Sequence, residues 1–210
     1  MESGRLTLCD IGNTTFDFFR EGVKEKVFIS DYEFKKSSEK IFYICVNEKI
    51  AGELKSFPNW VDLKNFVDKT NYYETMGIDR IAACEAVQNG VVIDAGSAIT
   101  VDVVKDGIFS GGYICLGLHG SRKAYTDISP RLDYSYNFEI DLDKMPKNSR
   151  DAITYGQLGL LYRDVMSHGL DVYLTGGDAL KLKSLFKTAT VDDELLFKGM
   201  KKIMKKADLC

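Results

Sequence analysis

An internal echo constrains this chain more than any other feature. The stretch Cys9-Asp10-Ile11-Gly12-Asn13-Thr14-Thr15-Phe16-Asp17-Phe18-Phe19-Arg20-Glu21-Gly22 returns as Ile93-Asp94-Ala95-Gly96-Ser97-Ala98-Ile99-Thr100-Val101-Asp102-Val103-Val104-Lys105-Asp106-Gly107. The leading aspartates lie 84 residues apart and the turn glycines Gly22 and Gly107 lie 85 apart, so the second copy carries one inserted residue. Each copy reads as strand, Asp-x-Gly turn, strand, charged-Gly hairpin turn, strand, with Gly supplying positive φ at the hairpin. The apolar runs Leu6–Cys9 and Val91–Ile93 have the length and residue types of buried strands. One such turn alone is commonplace. Two with matched hairpins imply duplicated α/β halves, residues 1–88 and 89–210, with a cleft between them. The plainer alternative is one α/β domain holding two similar hairpins.

Helical periodicity falls at 31–38, 48–56, 79–88, 117–126, 150–168, 177–186 and 193–206. The clearest pattern is 150–168, where Ile153, Leu158, Leu161, Val165 and Met166 recur at helical spacing and Gly169 stands as a stop. That stripe serves either as core or as a dimer surface. Lys201, Lys202, Lys205 and Lys206 read as the solvated face of the last helix.

Composition excludes several classes. The net charge of −3 gives no basic field for nucleic acid phosphates. No stretch approaches the apolar length that spans a bilayer, and Glu2 and Arg5 precede only a short apolar run, unlike a secretory leader. The five cysteines, Cys9, Cys45, Cys84, Cys115 and Cys210, are odd in number and contain no C-x-x-C pair. They suit small apolar thiols in a reducing cytoplasm better than zinc or disulfides. His119 and His168 belong to no zinc-ligand pattern.

Three glycine turns carry the chemistry. In Asp10-Ile11-Gly12-Asn13-Thr14, Gly12 lets the backbone approach an anion, and Asn13, Thr14 and main-chain N–H groups can donate to phosphate. Asp10 can hold Mg²⁺ directly or through water. Asp94-Ala95-Gly96-Ser97-Ala98-Ile99-Thr100 repeats these donors, so two facing loops would clamp a triphosphate from both sides. Thr175-Gly176-Gly177-Asp178-Ala179 follows the apolar strand Val172–Leu174 and opens a helix, which favours negative charge. Its plain reading is a strand-to-helix turn with Asp178 as cap. Neither G-x-x-x-x-G-K-[ST] nor a helix-opening G-x-G-x-x-G occurs, which removes two other nucleotide folds.

The order of these turns resembles that of the duplicated actin/hexokinase-like (ribonuclease H-like) ATPases. More narrowly, the chain resembles the type III pantothenate kinases. Asp10 to Thr14 matches their DxGNT, Gly77-Ile78-Asp79-Arg80 their GxDR, and Asp94 to Thr100 their DxGTAxT, with Ser97 for Thr. Gly111-Gly112-Tyr113-Ile114-Cys115-Leu116-Gly117 matches their GGxIxPG, with Leu116 for Pro. Ser149-Arg150-Asp151-Ala152-Ile153 looks like their TxxAI, with Ser for Thr, and Thr175 to Ala179 their TGGDA. The resemblance implies ATP-dependent phosphorylation of pantothenate, the first step of coenzyme A synthesis. It implies Asp79 as proton acceptor and Tyr72, Gly77, Ile78, Asp79, Arg80 and Ser149 at the substrate, with Tyr73 as an alternative to Tyr72. For Asp79 and Arg80 the plain alternative is a helix cap and a surface ion pair. It further implies ATP at Asp10, Ile11, Gly12, Asn13, Thr14, Thr15, Phe16, Asp17, Ser97, Gly176 and Gly177. Mg²⁺ would sit at Asp10 and a monovalent cation, K⁺ or NH₄⁺, at Asp94. A homodimer would then bring Ser149 to the partner's site. Rival readings keep the fold and change the substrate to a sugar, acetate or polyphosphate, or make the chain a non-catalytic regulator. A degenerate regulator would be expected to lose Asp10, Asp79 or Asp94, and all three are present.

Overall fold

A computed structural model describes residues 6–35 and 37–209. Glu2, Arg5 and Cys210 lie outside the described residues. The chain divides into two compact units, Met1–Ala86 with Glu194–Cys210, and Val87–Asp193. The division expected from the sequence lies at 88/89. The C-terminal stretch departs from the expected second half and belongs to the first unit.

In the first unit, β1 (Thr7–Ile11), β2 (Thr15–Arg20), β3 (Val23–Phe28), β4 (Ile41–Cys45) and β5 (Trp60–Asp62) form one sheet in the order β3-β2-β1-β4-β5. The first three strands run antiparallel, and β4 and β5 continue parallel to β1. Period-two alternation sorts β1 and β2 onto two faces. Cys9, Ile11, Phe16 and Phe18 point into a core with Ile41, Tyr43, Ile50, Leu54 and Trp60. Helix α1 (Glu48–Leu54) contributes Ile50 and Leu54 to this core, and the Asn47 side chain caps the helix by accepting from Ile50 N at 3.2 Å. Segment 31–38 is not helical as expected. A short 3₁₀ turn at Ile29–Asp31 gives way to extended backbone at Tyr32. The extended run places Tyr32 and Phe34 together against Phe16 and Trp60. Aromatic packing there overrides helical propensity.

The opposite face of the sheet is covered by α2 (Ile78–Ala86) and, from the far end of the sequence, α7 (Leu195–Lys206). Helix α7 buries Leu195, Phe197, Met200, Ile203 and Met204, and Phe197 stacks on Phe19 of β2 at 5.0 Å between ring centroids. Its lysines are more than a solvated face. Lys201 Nζ lies 4.5 Å from the Phe19 ring centroid, and Lys206 pairs with Glu85.

The second unit repeats the plan: β6 (Gly90–Ala95), β7 (Ala98–Lys105), β8 (Ile108–Leu116), β9 (Val172–Thr175) and β10 (Thr190–Val191) in the order β10-β9-β6-β7-β8. Pairing again runs antiparallel through the hairpins and parallel beyond. Strand for strand this is the same topology, as the echo requires. Both hairpin turns place two successive residues at positive φ, Glu21 (49°) and Gly22 (85°), then Asp106 (53°) and Gly107 (74°). This is the twist-matched turn of tight hairpins. The inserted residue is a net effect, since β7 is 8 residues long against 6 for β2 while the Asp-x-Gly turn is one residue shorter. The β7/β8 register shifts at Val103/Val104, where Ser110 of β8 is the extra residue, and the adjacent Gly111 takes φ 132°.

Helix α3 (Leu118–Ile128) follows β8. The long helix divides into α4 (Ser149–Thr154), a π turn over Tyr155–Gly159, and α5 (Leu160–Ser167), ended by Gly169 at φ 62°. Ile153, Leu158, Leu161 and Val165 belong to the core, whereas Met166 and Leu160 are exposed. The expected helix 177–186 contracts to α6 (Ala179–Lys183), because Gly176 adopts φ 86° and Asp178 is not helical. Among the described cysteines, Cys9, Cys45, Cys84 and Cys115 are free thiols, and burial pushes the Cys9 thiol well up.

The crossing of α7 on α2 leaves no room at Gly199. A Cβ there would lie 2.6 Å from the Ala82 carbonyl carbon and closer still to its oxygen. Gly199→Val should therefore lower stability by about 1–3 kcal/mol despite valine's better helix propensity. Equilibrium urea unfolding of the two proteins measures the difference.

Candidate active site

The first Asp-x-Gly turn closes at the end of β1. Gly12 N–H donates to Thr15 O at 3.0 Å, and Thr14 O accepts from Ile29 N at 3.0 Å. Asn13 and Thr14 are exposed at the tip. Asp10 sits opposite Asp17 in the β1/β2 register, and both are partly exposed. Asp17 accepts from Thr15 Oγ1 at 3.0 Å and pairs with Lys26 at 3.2 Å. Ile11 and Phe16 were expected at the nucleotide, yet their side chains are fully buried in the core. Only their main chain can serve a ligand. Gly12 has no fold requirement, for a Cβ there would meet nothing closer than Thr15 O at 3.8 Å. Its absence of side chain leaves open space at the tip.

Gly77-Ile78-Asp79-Arg80 opens α2. A Cβ at Gly77 would collide with the Asp79 carboxylate, so the glycine makes room for that group. Asp79 Oδ1 accepts from the Arg80 main-chain N–H at 2.8 Å. A carboxylate offers four lone-pair sites, so one local bond leaves it able to accept elsewhere. Ile78 is buried. Arg80 is not a surface ion pair: only 5% of it is exposed, and its Nη1 donates to Tyr73 Oη at 2.5 Å. The two neighbouring tyrosines diverge. Tyr73 packs at Arg80, with the guanidinium carbon 5.8 Å from its ring centroid, whereas Tyr72 Oη donates to Glu85 Oε1 at 3.1 Å. Sequence reasoning missed Glu85. Its signal was a carboxylate set among Ile81, Ala82, Ala83, Cys84 and Ala86.

In the second unit three segments meet. Gly96 N–H donates to Ala98 O at 2.9 Å to close the Asp94–Ala98 turn. Gly117, which caps α3, donates to Ser97 O at 3.2 Å and lies so close that a Cβ would fall 2.5 Å from Gly96 O. Asp178 N–H donates to Ala95 O at 2.9 Å. Gly176 packs on Asp94 Oδ1, and a Cβ there would lie 2.7 Å from Ala95 O. Asp94, Ser97, Gly117, Gly176 and Gly177 are thereby gathered at one end of the sheet. Asp178 stands at the cap position of α6, but its carboxylate pairs with Lys181 at 2.6 Å. Ser149 is exposed in the first turn of α4. Beside it, the amides of Asn137 and Asn148 hold the Asp151 carboxyl below its ordinary range. His119 is exposed, and His168 lies 3.8 Å from Asp164.

The GGD turn separates two kinds of glycine. Gly176 is needed by φ and by space, whereas nothing lies within 4 Å of a Cβ built at Gly177. Gly176→Ala should cost about 1–3 kcal/mol in stability. Gly177→Ala should stay within about 0.5 kcal/mol of the parent. Thermal melts of both variants read this contrast directly.

Comparison with known proteins follows the same lines. A sequence model of the type III pantothenate kinases matches residues 46–165. A Sulfurimonas denitrificans protein named type III pantothenate kinase is 56% identical over 205 residues, covering 98% of this chain and 100% of the relative. A solved Campylobacter jejuni structure, named for a Baf family transcriptional activator, superposes with TM-score 0.86 at 40% identity over 98% of this chain and 100% of that one. A Sinorhizobium meliloti structure named for a 2-dehydro-3-deoxygalactonokinase shares the fold at TM-score 0.54 and 8% identity, over 95% of this chain and 98% of that one. With its repeated five-stranded sheets the chain has the actin/hexokinase-like ATPase fold, and it belongs to the type III pantothenate kinase family.

Proposed function

We propose that the protein transfers the γ-phosphoryl group of ATP to the primary hydroxyl of pantothenate, giving 4′-phosphopantothenate and ADP. The observation that carries this reading is the start of α2, where Gly77 clears space for the Asp79 carboxylate and the next residue is a buried guanidinium. Asp79 accepts the hydroxyl proton as the oxygen bonds to phosphorus and the bond to ADP breaks. Arg80 has five N–H donors, and the substrate carboxylate takes two of them in a fork while Tyr73 holds another. Tyr72, Gly77 and Ile78 line the acceptor site.

ATP is bound by the main chain of Asp10 to Asp17 with the side chains of Asp10, Asn13, Thr14, Thr15 and Asp17, by Ser97, and by Gly176 and Gly177. Gly12 and Gly177 support this, being glycines that the fold itself does not need. The oxygen-rich donor set fits hard cations. Among the described residues no group of three or more His, Cys, Asp or Glu could hold a metal. Mg²⁺ would be held by one carboxylate, Asp10, together with phosphates and water. Bound Mg²⁺ offsets charge on the phosphates. Asp94, beside the Ala95 carbonyl, suits K⁺ or NH₄⁺. The protein works as a cytoplasmic homodimer, with Ser149 completing the partner's site and exposed Ile114, Leu116, Leu160 and Met166 available to a subunit contact. No helix among the described residues is long and apolar enough to cross a membrane.

A coupled assay for ADP release with pantothenate, a sugar panel or no acceptor tests the reaction. Release only with pantothenate supports it; equal release without acceptor overturns it. Asp79→Asn should cut kcat by about 10²–10⁴-fold with little change in pantothenate affinity. Arg80→Ala should raise KM more than it lowers kcat, and should spare pantetheine, which lacks the carboxylate. Equal rates in sodium and potassium buffers would exclude the monovalent cation at Asp94.

A further inference from the structure

The acceptor half of the proposed site hangs on a buried ionic contact that none of the motifs contains. Glu85 lies near the end of α2, whose start carries Asp79 and Arg80. Its side chain is 8% exposed. One carboxylate oxygen accepts from Tyr72 Oη at 3.1 Å, and the other pairs with Lys206 Nζ at 2.7 Å. Lys206 is the last residue of α7, the helix that the Gly199–Ala82 approach seats directly on α2. Tyr73, next to Tyr72, is fastened to Arg80. Two adjacent tyrosines thus pin the segment leading into Gly77 to two points on α2.

We infer that Glu85 and Lys206 are positioning residues for acceptor recognition, holding Tyr72 and the 72–77 segment against α2. A carboxylate this buried is stable in place only with a cation beside it. Lys206 supplies that cation from a half-exposed position. With the pair intact, Glu85 is a fixed, charge-assisted acceptor for the Tyr72 hydroxyl. Without Lys206 the carboxylate must seek water or another partner, and its bond to the Tyr72 hydroxyl is weakened. The effect should reach pantothenate but not ATP, because the pair is joined to the substrate tyrosine and to the GxDR helix. This inference rests on the acceptor site proposed above.

The test uses full-length wild type, Lys206→Met, Lys206→Arg, Tyr72→Phe and the double variant Tyr72→Phe/Lys206→Met. Lys206→Met should raise KM for pantothenate about five- to tenfold, with kcat and KM for ATP within about twofold. Lys206→Arg should restore most of the affinity. The double variant should resemble Tyr72→Phe alone, since Lys206 acts through that hydroxyl. An unchanged KM in folded Lys206→Met, or fully additive effects in the double variant, overturns the inference. Amide exchange supplies a readout independent of turnover: residues 69–77 should exchange faster in Lys206→Met than in wild type. If wild type phosphorylates no pantothenate, the functional reading fails by itself, and unaltered exchange in that segment then rejects the positioning role separately.

Discussion

The backbone contact between Gly199 and Ala82 is the constraint on which the first unit depends. Two helices far apart in sequence meet there without an intervening side chain. Phe197, Met200 and Met204 then reach the sheet, and Lys206 reaches Glu85. The helix bearing Asp79 and Arg80 is consequently held on one side by β4 and on the other by α7. A rigid element of this kind is what a site requiring sub-ångström placement needs.

Glycine has three distinct uses here, and they separate structure from ligand. Gly22, Gly107 and Gly176 answer backbone geometry, as their positive φ values state. Gly117 and Gly199 answer close approach of main chain to main chain. Gly12 and Gly177 answer neither. Gly52 and Gly120, within α1 and α3, are equally unconstrained, so what distinguishes Gly12 and Gly177 is their place in turns rich in donors.

Much of this was legible beforehand, because the strongest sequence signals were local and repeated. The matched hairpins foretold the three antiparallel strands that open each unit, β1–β3 and β6–β8. What escaped was tertiary. Residues 31–38 have helical spacing on paper, but the rings of Phe16, Phe18, Phe57 and Trp60 around Tyr32 and Phe34 reward an extended course. The last helix could not be assigned to the first unit, since nothing in residues 193–206 names its neighbour. The motif does not reveal that strand alternation turns the Ile11 and Phe16 side chains to the core and leaves only their main chain facing out. Tyr73 bonds Arg80 while Tyr72 bonds Glu85, a divergence of two adjacent tyrosines that only three-dimensional packing reveals.

The chain order of the two units carries a consequence for biosynthesis. Val87–Asp193 is one uninterrupted stretch, whereas the first unit draws on both flanks of it. On the ribosome the middle of the chain can therefore fold before the unit that begins the sequence is complete. Until α7 emerges, the apolar side of β1, β2 and α2 is left uncovered, with Phe19 lacking the ring that stacks on it. Helix α7 thus completes the packing of a helix more than a hundred residues before it in the chain.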